Sequence, residues 1–203
     1  MSIIGVKLDI MFSILRKKWA AWQKYKSELK EIHKGRFIIV DSIEAILVAL
    51  VCALIIRHYV IQVSLVPTGS MIPTMMIGDR LFVNKFVYEF RRPERGEIVV
   101  FKSPYKDKKD YVKRCIGLPG ETISLKKGAV YINGKQLIIP GVDINRDYQF
   151  YGPLKIGENE FFMMGDNRGN SLDSRVYGPI QKDQVIGKAL FTFWPMGRMQ
   201  WLH

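Results

Sequence analysis

The longest apolar stretch in the chain is "AILVALVCALII", residues 45–56, with "FIIV" before it and "YVIQVSLV" after it. Alone it falls short of the ~20 apolar residues that a spanning helix needs, and with its flanks it reaches that length. Its interruptions, Asp41, Glu44, Arg57 and His58, lie near the ends, where a charged group can reach the interface. Asp41 and Glu44 are three apart and share a helix face. The pattern predicts one uncleaved transmembrane helix over residues 37–61. A buried soluble helix and a cleaved signal peptide are the alternatives. A signal peptide would want a short basic stretch before its apolar run, and here 36 residues precede it.

From residue 79 the pattern changes to short alternating runs. "RLFVNKFVYEF", "GEIVVFKS", "DYVKRCIG", "ETISL", "AVYI", "EFFMMG" and "KALFTFWP" read as strands, separated by Gly, Pro, Asn and Asp. "YINGKQLII" holds an Asn-Gly between β-formers, a strong hairpin signal. The expectation is a mainly β protein: an antiparallel, barrel-like domain with a small hairpin-bearing insertion, carried on one membrane helix. The predicted divisions are a basic N-terminal segment 1–36, the membrane helix 37–61 and a β domain 62–203, within which 121–160 forms the inserted lobe.

Charge gives the arrangement a direction. The chain carries +12, with 31 Lys and Arg against 19 acids. Nine basic and three acidic residues precede Phe37. A basic excess on one side of the apolar run puts that side in the cytoplasm and the β domain outside. It also argues against nucleic acid as the partner, since the excess lies beside the membrane. "MFSILRKKWAAWQKYKSELKEI" mixes Leu, Trp and Ile with Lys and Arg at helical spacing. It suits either an interfacial helix on an anionic leaflet or a solvated tail.

Candidate chemistry is limited by what is missing. Cys52 lies in the apolar run and Cys115 in a strand pattern, with no CxxC pair or His cluster to suggest zinc. His33, His58 and His203 all lie outside the motif-rich region 64–180, which leaves a Ser-His-Asp triad with little support. Ser70, in "VPTGSMIPT", is a turn residue or a nucleophile, and a nucleophilic serine needs a base. Lysine is the next candidate. In "DYVKRCIG", Lys113 and Arg114 point to opposite faces, so a buried face would receive one of the two cations. Lysine can be neutralised by desolvation, whereas arginine cannot. An edge strand with both cations in water is the alternative. "GDNRGNSLDSR", residues 165–175, is a dense polar run that suits a hydrogen-bonded loop or an active-site wall. Its spacing fails as a calcium loop.

Taken together, "SMIPT" (70–74), "GDRLFVNK" (78–85), "KRCIGLPG" (113–120) and "GDNRGNSLDSR" resemble, in order, the sequence boxes of bacterial type I signal peptidase. This is a membrane-bound serine endopeptidase with a Ser/Lys dyad. The resemblance covers most of residues 64–180. It implies cleavage of signal peptides from exported preproteins after small residues, with Ser70 as nucleophile, Lys113 as general base, and no metal or cofactor. It further implies an oxyanion hole from the Ser70 N–H and the Thr68 hydroxyl, with Ser171 orienting Lys113 and Asp173 and Arg175 structural. Substrate would add as an extended strand beside residues 64–68 and 110–113, its small side chains in pockets lined by Val66, Pro67, Tyr111 and Val112. The expected partners are preproteins and the lipid bilayer, with no nucleic acid and the chain acting as a monomer. The expected location is the bacterial cytoplasmic (inner) membrane, single-pass, with the N-terminus cytoplasmic and the catalytic domain on the outer side. Two rivals are a self-cleaving Ser-Lys repressor, which would need a DNA-binding domain, and a non-catalytic membrane-anchored β module that binds extended peptides.

Overall fold

The computed structural model describes residues 3–32, 34–55, 61–105, 107, 109–140, 142 and 150–202. The chain forms two units, divided after Ile55. The first consists of two helices, α1 (Ile3–Ile32) and α2 (Lys34–Ile55). Lys26 of α1 pairs with Asp41 and, at 2.7 Å, with Glu44, while the Trp22 indole N–H donates to Glu44 at 3.0 Å. These contacts require α1 to fold back on α2. Among the described residues, no helix is long and apolar enough to cross a membrane. The expected span over 37–61 runs through residues 56–60, which lie outside the described residues.

The second unit is mainly β. In chain order its first strands are β1 (Ile61–Leu65), β2 (Arg80–Asn84), β3 (Ile98–Lys102) and β4 (Asp110–Gly117). Then come β5 (Thr122–Lys126), β6 (Ala129–Ile132), β7 (Lys135–Leu137) and β8 (Tyr151–Lys155). The last are β9 (Glu160–Met164), β10 (Ile180–Gln181), β11 (Val185–Trp194) and β12 (Gln200–Trp201). One antiparallel sheet has the order β1-β2-β11-β3-β4-β9-β10, with β12 added on β11. A second, β7-β6-β5-β8, holds the Asn133-Gly134 hairpin, where φ is +50° and +80° as a tight primed turn demands.

The large sheet curls. β1 lies four places from β4 in strand order, yet the Gln62 amide reaches the Asp110 carboxylate at 3.0 Å. Residues inside the curl (Val66, Met71, Leu81, Val83, Ile98, Val100 and Val112 among them) form one core cluster. Val99, Phe101, Cys115, Phe161 and Met163 form another on the opposite face. β3 is thus apolar on both sides, as a strand between two cores must be. A third cluster, with Ile116, Ile123, Leu125, Ile156 and Phe162, includes residues of both sheets.

One expected strand is shorter than its pattern. "RLFVNKFVYEF" leaves the sheet at Asn84, whose side chain accepts the Val87 N–H at 3.1 Å, and Val87–Phe90 forms a helical turn, α3. A local side-chain acceptor here outcompetes the ladder.

Candidate active site

Ser70 sits in a three-residue 3-10 turn, Gly69–Met71, that follows the extended residue Thr68. Such a first turn has N–H groups with no acceptor inside the helix. Its carbonyls are held from the far end of the chain. The Asn167 N–H donates to Ser70 O at 3.1 Å, and the Asn167 side-chain amide donates to Gly69 O at 2.9 Å. Gly165 brings that loop close: a Cβ built there would lie 2.4 Å from the Ser70 carbonyl oxygen and 2.2 Å from Ser171 Oγ. Only glycine fits between them.

β4 carries the two adjacent cations, and both are buried, on opposite faces. The Lys113 amine lies 2.6 Å from Ser70 Oγ and is 4% exposed. Burial pushes it from the ordinary 10.5 down to about 8, against the upward pull of the Asp173 and Asp166 charges. Arg114 makes a two-pronged pair with Asp166, at 2.9 and 2.7 Å, and donates to Gly96 O at 2.6 Å. The Thr74 hydroxyl donates to the same carboxylate at 2.6 Å. Thr74, Arg114 and Asp166 therefore tie the serine turn, the lysine strand and the polar loop into one buried network.

The other anticipated residues fall around this pair. Thr68 Oγ1 is 3.4 Å from Ser70 Oγ, longer than a good O–H···O bond, so its hydroxyl is not committed to the nucleophile. The Ser171 hydroxyl is buried and makes no hydrogen bond of normal geometry, to Lys113 or to any other group, though it lies near enough to Asp173 to help lower that acid's pKa. Asp173 is fully buried. Burial opposes its ionisation, and the bonds and charge of Arg175, at 2.8 and 2.8 Å, outweigh that and hold its pKa below the ordinary value. It also accepts the Gly165 N–H at 2.9 Å and caps α4 (Ser174–Tyr177).

A cavity of about 760 Å³ leads away from Ser70 and Lys113. Val66, Pro67, Tyr111 and Val112 all line it, together with Leu65, Leu172 and Asn170. Its walls are two strand edges. Among the described residues β1 pairs with β2 alone, and β4 is paired with β9 only from Arg114 onward, which leaves the other edge of residues 110–113 open.

A family described as signal peptidase, peptidase S26, matches residues 39–194. A signal peptidase I from Leptolyngbya laminosa is 39% identical over 168 residues, covering 79% of this chain and 82% of that protein. The chain belongs to this family. Signal peptidase I T of Bacillus subtilis (strain 168) is 41% identical over 170 residues, 77% of this chain and 86% of its own length. A probable signal peptidase I-2 of Synechocystis is 40% identical over 156 residues, covering 74% and 71%. Membership makes the chain a serine peptidase.

The residues that sequence reasoning missed are those that hold the pair in register. Asn167, Gly165 and the Thr74–Asp166–Arg114 network act across 52 to 98 residues of chain or through a missing side chain. Their one visible signal was the density of polar residues after Gly165.

Proposed function

We propose that this chain cleaves signal peptides from preproteins after small residues, with Ser70 as nucleophile and Lys113 as general base. The observation that carries the reading is the 2.6 Å contact between a desolvated lysine and a serine at the closed end of a cleft with two open strand edges. An extended peptide entering that cleft pairs with β1 on one side and residues 110–113 on the other. Its side chains alternate between the apolar floor, to which Val66 and Val112 contribute, and the opening.

The proton steps follow from the pKa of Lys113. In its neutral form the amine accepts the Ser70 O–H proton as Oγ attacks the carbonyl carbon. The Ser70 N–H and the Thr68 hydroxyl donate to the oxyanion, each worth about 3–4 kcal/mol to the transition state. The protonated lysine then gives its proton to the leaving amine. A water molecule, deprotonated by the same lysine, attacks the ester, and Ser70 regains its proton as the acid product leaves. Ser171, with a buried hydroxyl beside Asp173, serves to orient the amine through a small rotation. Asp173 and Arg175 hold the loop.

In this reading residues 37–61 anchor the chain in the bacterial cytoplasmic membrane with the N-terminus inside and residues 62–203 outside, where 121–160 is an accessory lobe. One chain supplies both members of the dyad, so a monomer suffices for the chemistry. The test uses the full chain in detergent with a preprotein. Ser70→Ala and Lys113→Ala should each lose cleavage by at least on the order of a thousandfold, and retention of the wild-type rate by either would remove the assignment.

A further inference from the structure

At the end of the cleft farthest from Ser70 two polar side chains meet. Gln62 of β1 donates to Asp110 of β4 at 3.0 Å across the opening, and the same amide is 3.2 Å from Ser64 Oγ. Both Gln62 and Asp110 line the cavity, which is otherwise mainly apolar between them and the serine turn. β1 and β4 each run from this end toward the catalytic pair, because Gln62 precedes Ser70 and Asp110 precedes Lys113. A substrate whose residues before the scissile bond fill the cleft therefore runs parallel to both. From Lys113 back to Asp110 is three residues, about 10 Å of extended chain. With the residue before the scissile bond level with Lys113, the fourth residue before it comes level with Asp110.

We propose that Gln62 and Asp110 form a subsite that reads the fourth residue before the scissile bond, favouring hydrogen-bond donors and positive charge over acids. This rests on the Ser70–Lys113 reading with substrate bound as an added strand. The entering strand must displace Gln62 from the carboxylate or pass beside it. Displacement is unfavourable unless the substrate supplies a donor in exchange. Serine, asparagine and lysine do so, leucine does not, and glutamate sets a second carboxylate against the first. Asp110 is exposed, so the discrimination has the modest size of a partly solvated charge pair. Lys109, also exposed and on the cleft wall, contributes the opposite bias toward acids.

The decisive measurement is therefore a change in a ratio. Peptides differing only in Lys, Ser or Glu at the fourth position are cleaved by the full-length chain in detergent, and kcat/KM is compared. Asp110→Asn, which keeps size and removes the charge, should lower the Lys-to-Glu ratio by about fivefold, the scale of one such pair. Lys109→Gln should raise it. The same replacements at the second position should give a ratio that neither variant moves. A Lys-to-Glu ratio at the fourth position unchanged by Asp110→Asn, with cleavage still dependent on Ser70, overturns the subsite alone. Cleavage that survives Ser70→Ala overturns the parent reading instead.

Discussion

A lysine amine in water keeps its proton to a pH near 10, and at neutral pH it accepts none from serine. Burial among Tyr111, Val112 and the serine turn brings Lys113 down to about 8. Activity should accordingly rise with pH through about 8, and a kcat/KM profile flat from pH 6 to 9 would remove Lys113 as the base. The same shift has a cost in stability. Between about 8 and 10.5 the unfolded chain binds more protons than the folded one, so stability rises with pH there. Below about 8 the folded protein carries the full penalty, ~3 kcal/mol. Lys113→Met should be inactive and more stable at pH 7 by up to that amount, with less dependence on pH between 8 and 10; denaturation of the full chain in detergent measures both. Gly165→Ala makes the opposite kind of change. Its methyl meets a backbone oxygen at 2.4 Å, and the Ser70 turn has to move. A displacement near 1 Å costs on the order of a hundredfold in rate, so single-turnover cleavage should fall by that factor while far-ultraviolet circular dichroism stays unchanged.

Between elements, the strongest tie is the Asp166 carboxylate, which receives Arg114 from β4 and Thr74 from the segment after the serine turn. Removing it takes from a buried guanidinium the carboxylate that meets it at two nitrogens, and breaking such a pair typically costs about 3–5 kcal/mol. Removing the Thr74 hydroxyl forfeits one hydrogen bond to that carboxylate, about 2 kcal/mol. Asp166→Ala should therefore unfold at clearly lower denaturant than Thr74→Val, and equal losses would mean that the ion pair is not what holds the elements together. None of this was legible in the sequence. Periodicity correctly marks β3, β4 and β9, and Asn133-Gly134 marks its hairpin, because those signals are local. The direction of Ser70 and Lys113 toward each other could be argued from the displaced histidines and from the resemblance. Asn167 was visible only as one polar residue among several. What selects it is the pair of carbonyls at Gly69 and Ser70, and those come near only once the sheet has curled. The burial of both Lys113 and Arg114 was hidden for the same reason: the sequence offered one buried face for one cation, and the fold supplies a partner on each side of the strand.

For the β unit as a whole, one surface remains to be explained by where the unit works. The strand register aligns Val63, Phe82, Phe191 and Trp201 across β1, β2, β11 and β12. Phe193 stacks on Phe82 with ring centres 4.3 Å apart, and Phe191 lies against Trp201 at 5.1 Å. Trp201 is 67% exposed and Val63 56%. An outward-facing apolar row that crosses four strands, with aromatics on three of them, is expensive in water and suited to the headgroup region of a bilayer, where an aromatic ring finds both apolar and polar surroundings. The row includes Val63, which also lines the substrate cleft, so a membrane at that face would meet a signal peptide as it leaves the lipid. Trp201→Glu removes the most exposed member without touching Ser70, Lys113 or the cleft wall. Cleavage of a preprotein embedded in vesicles should fall several-fold in this variant, while cleavage of a short soluble peptide by the same preparation stays within about twofold, the change expected of a surface substitution away from the site. Equal loss on both substrates would assign Trp201 to the fold of the sheet edge, and no loss on either would leave the aromatic row without a part in reaching the substrate.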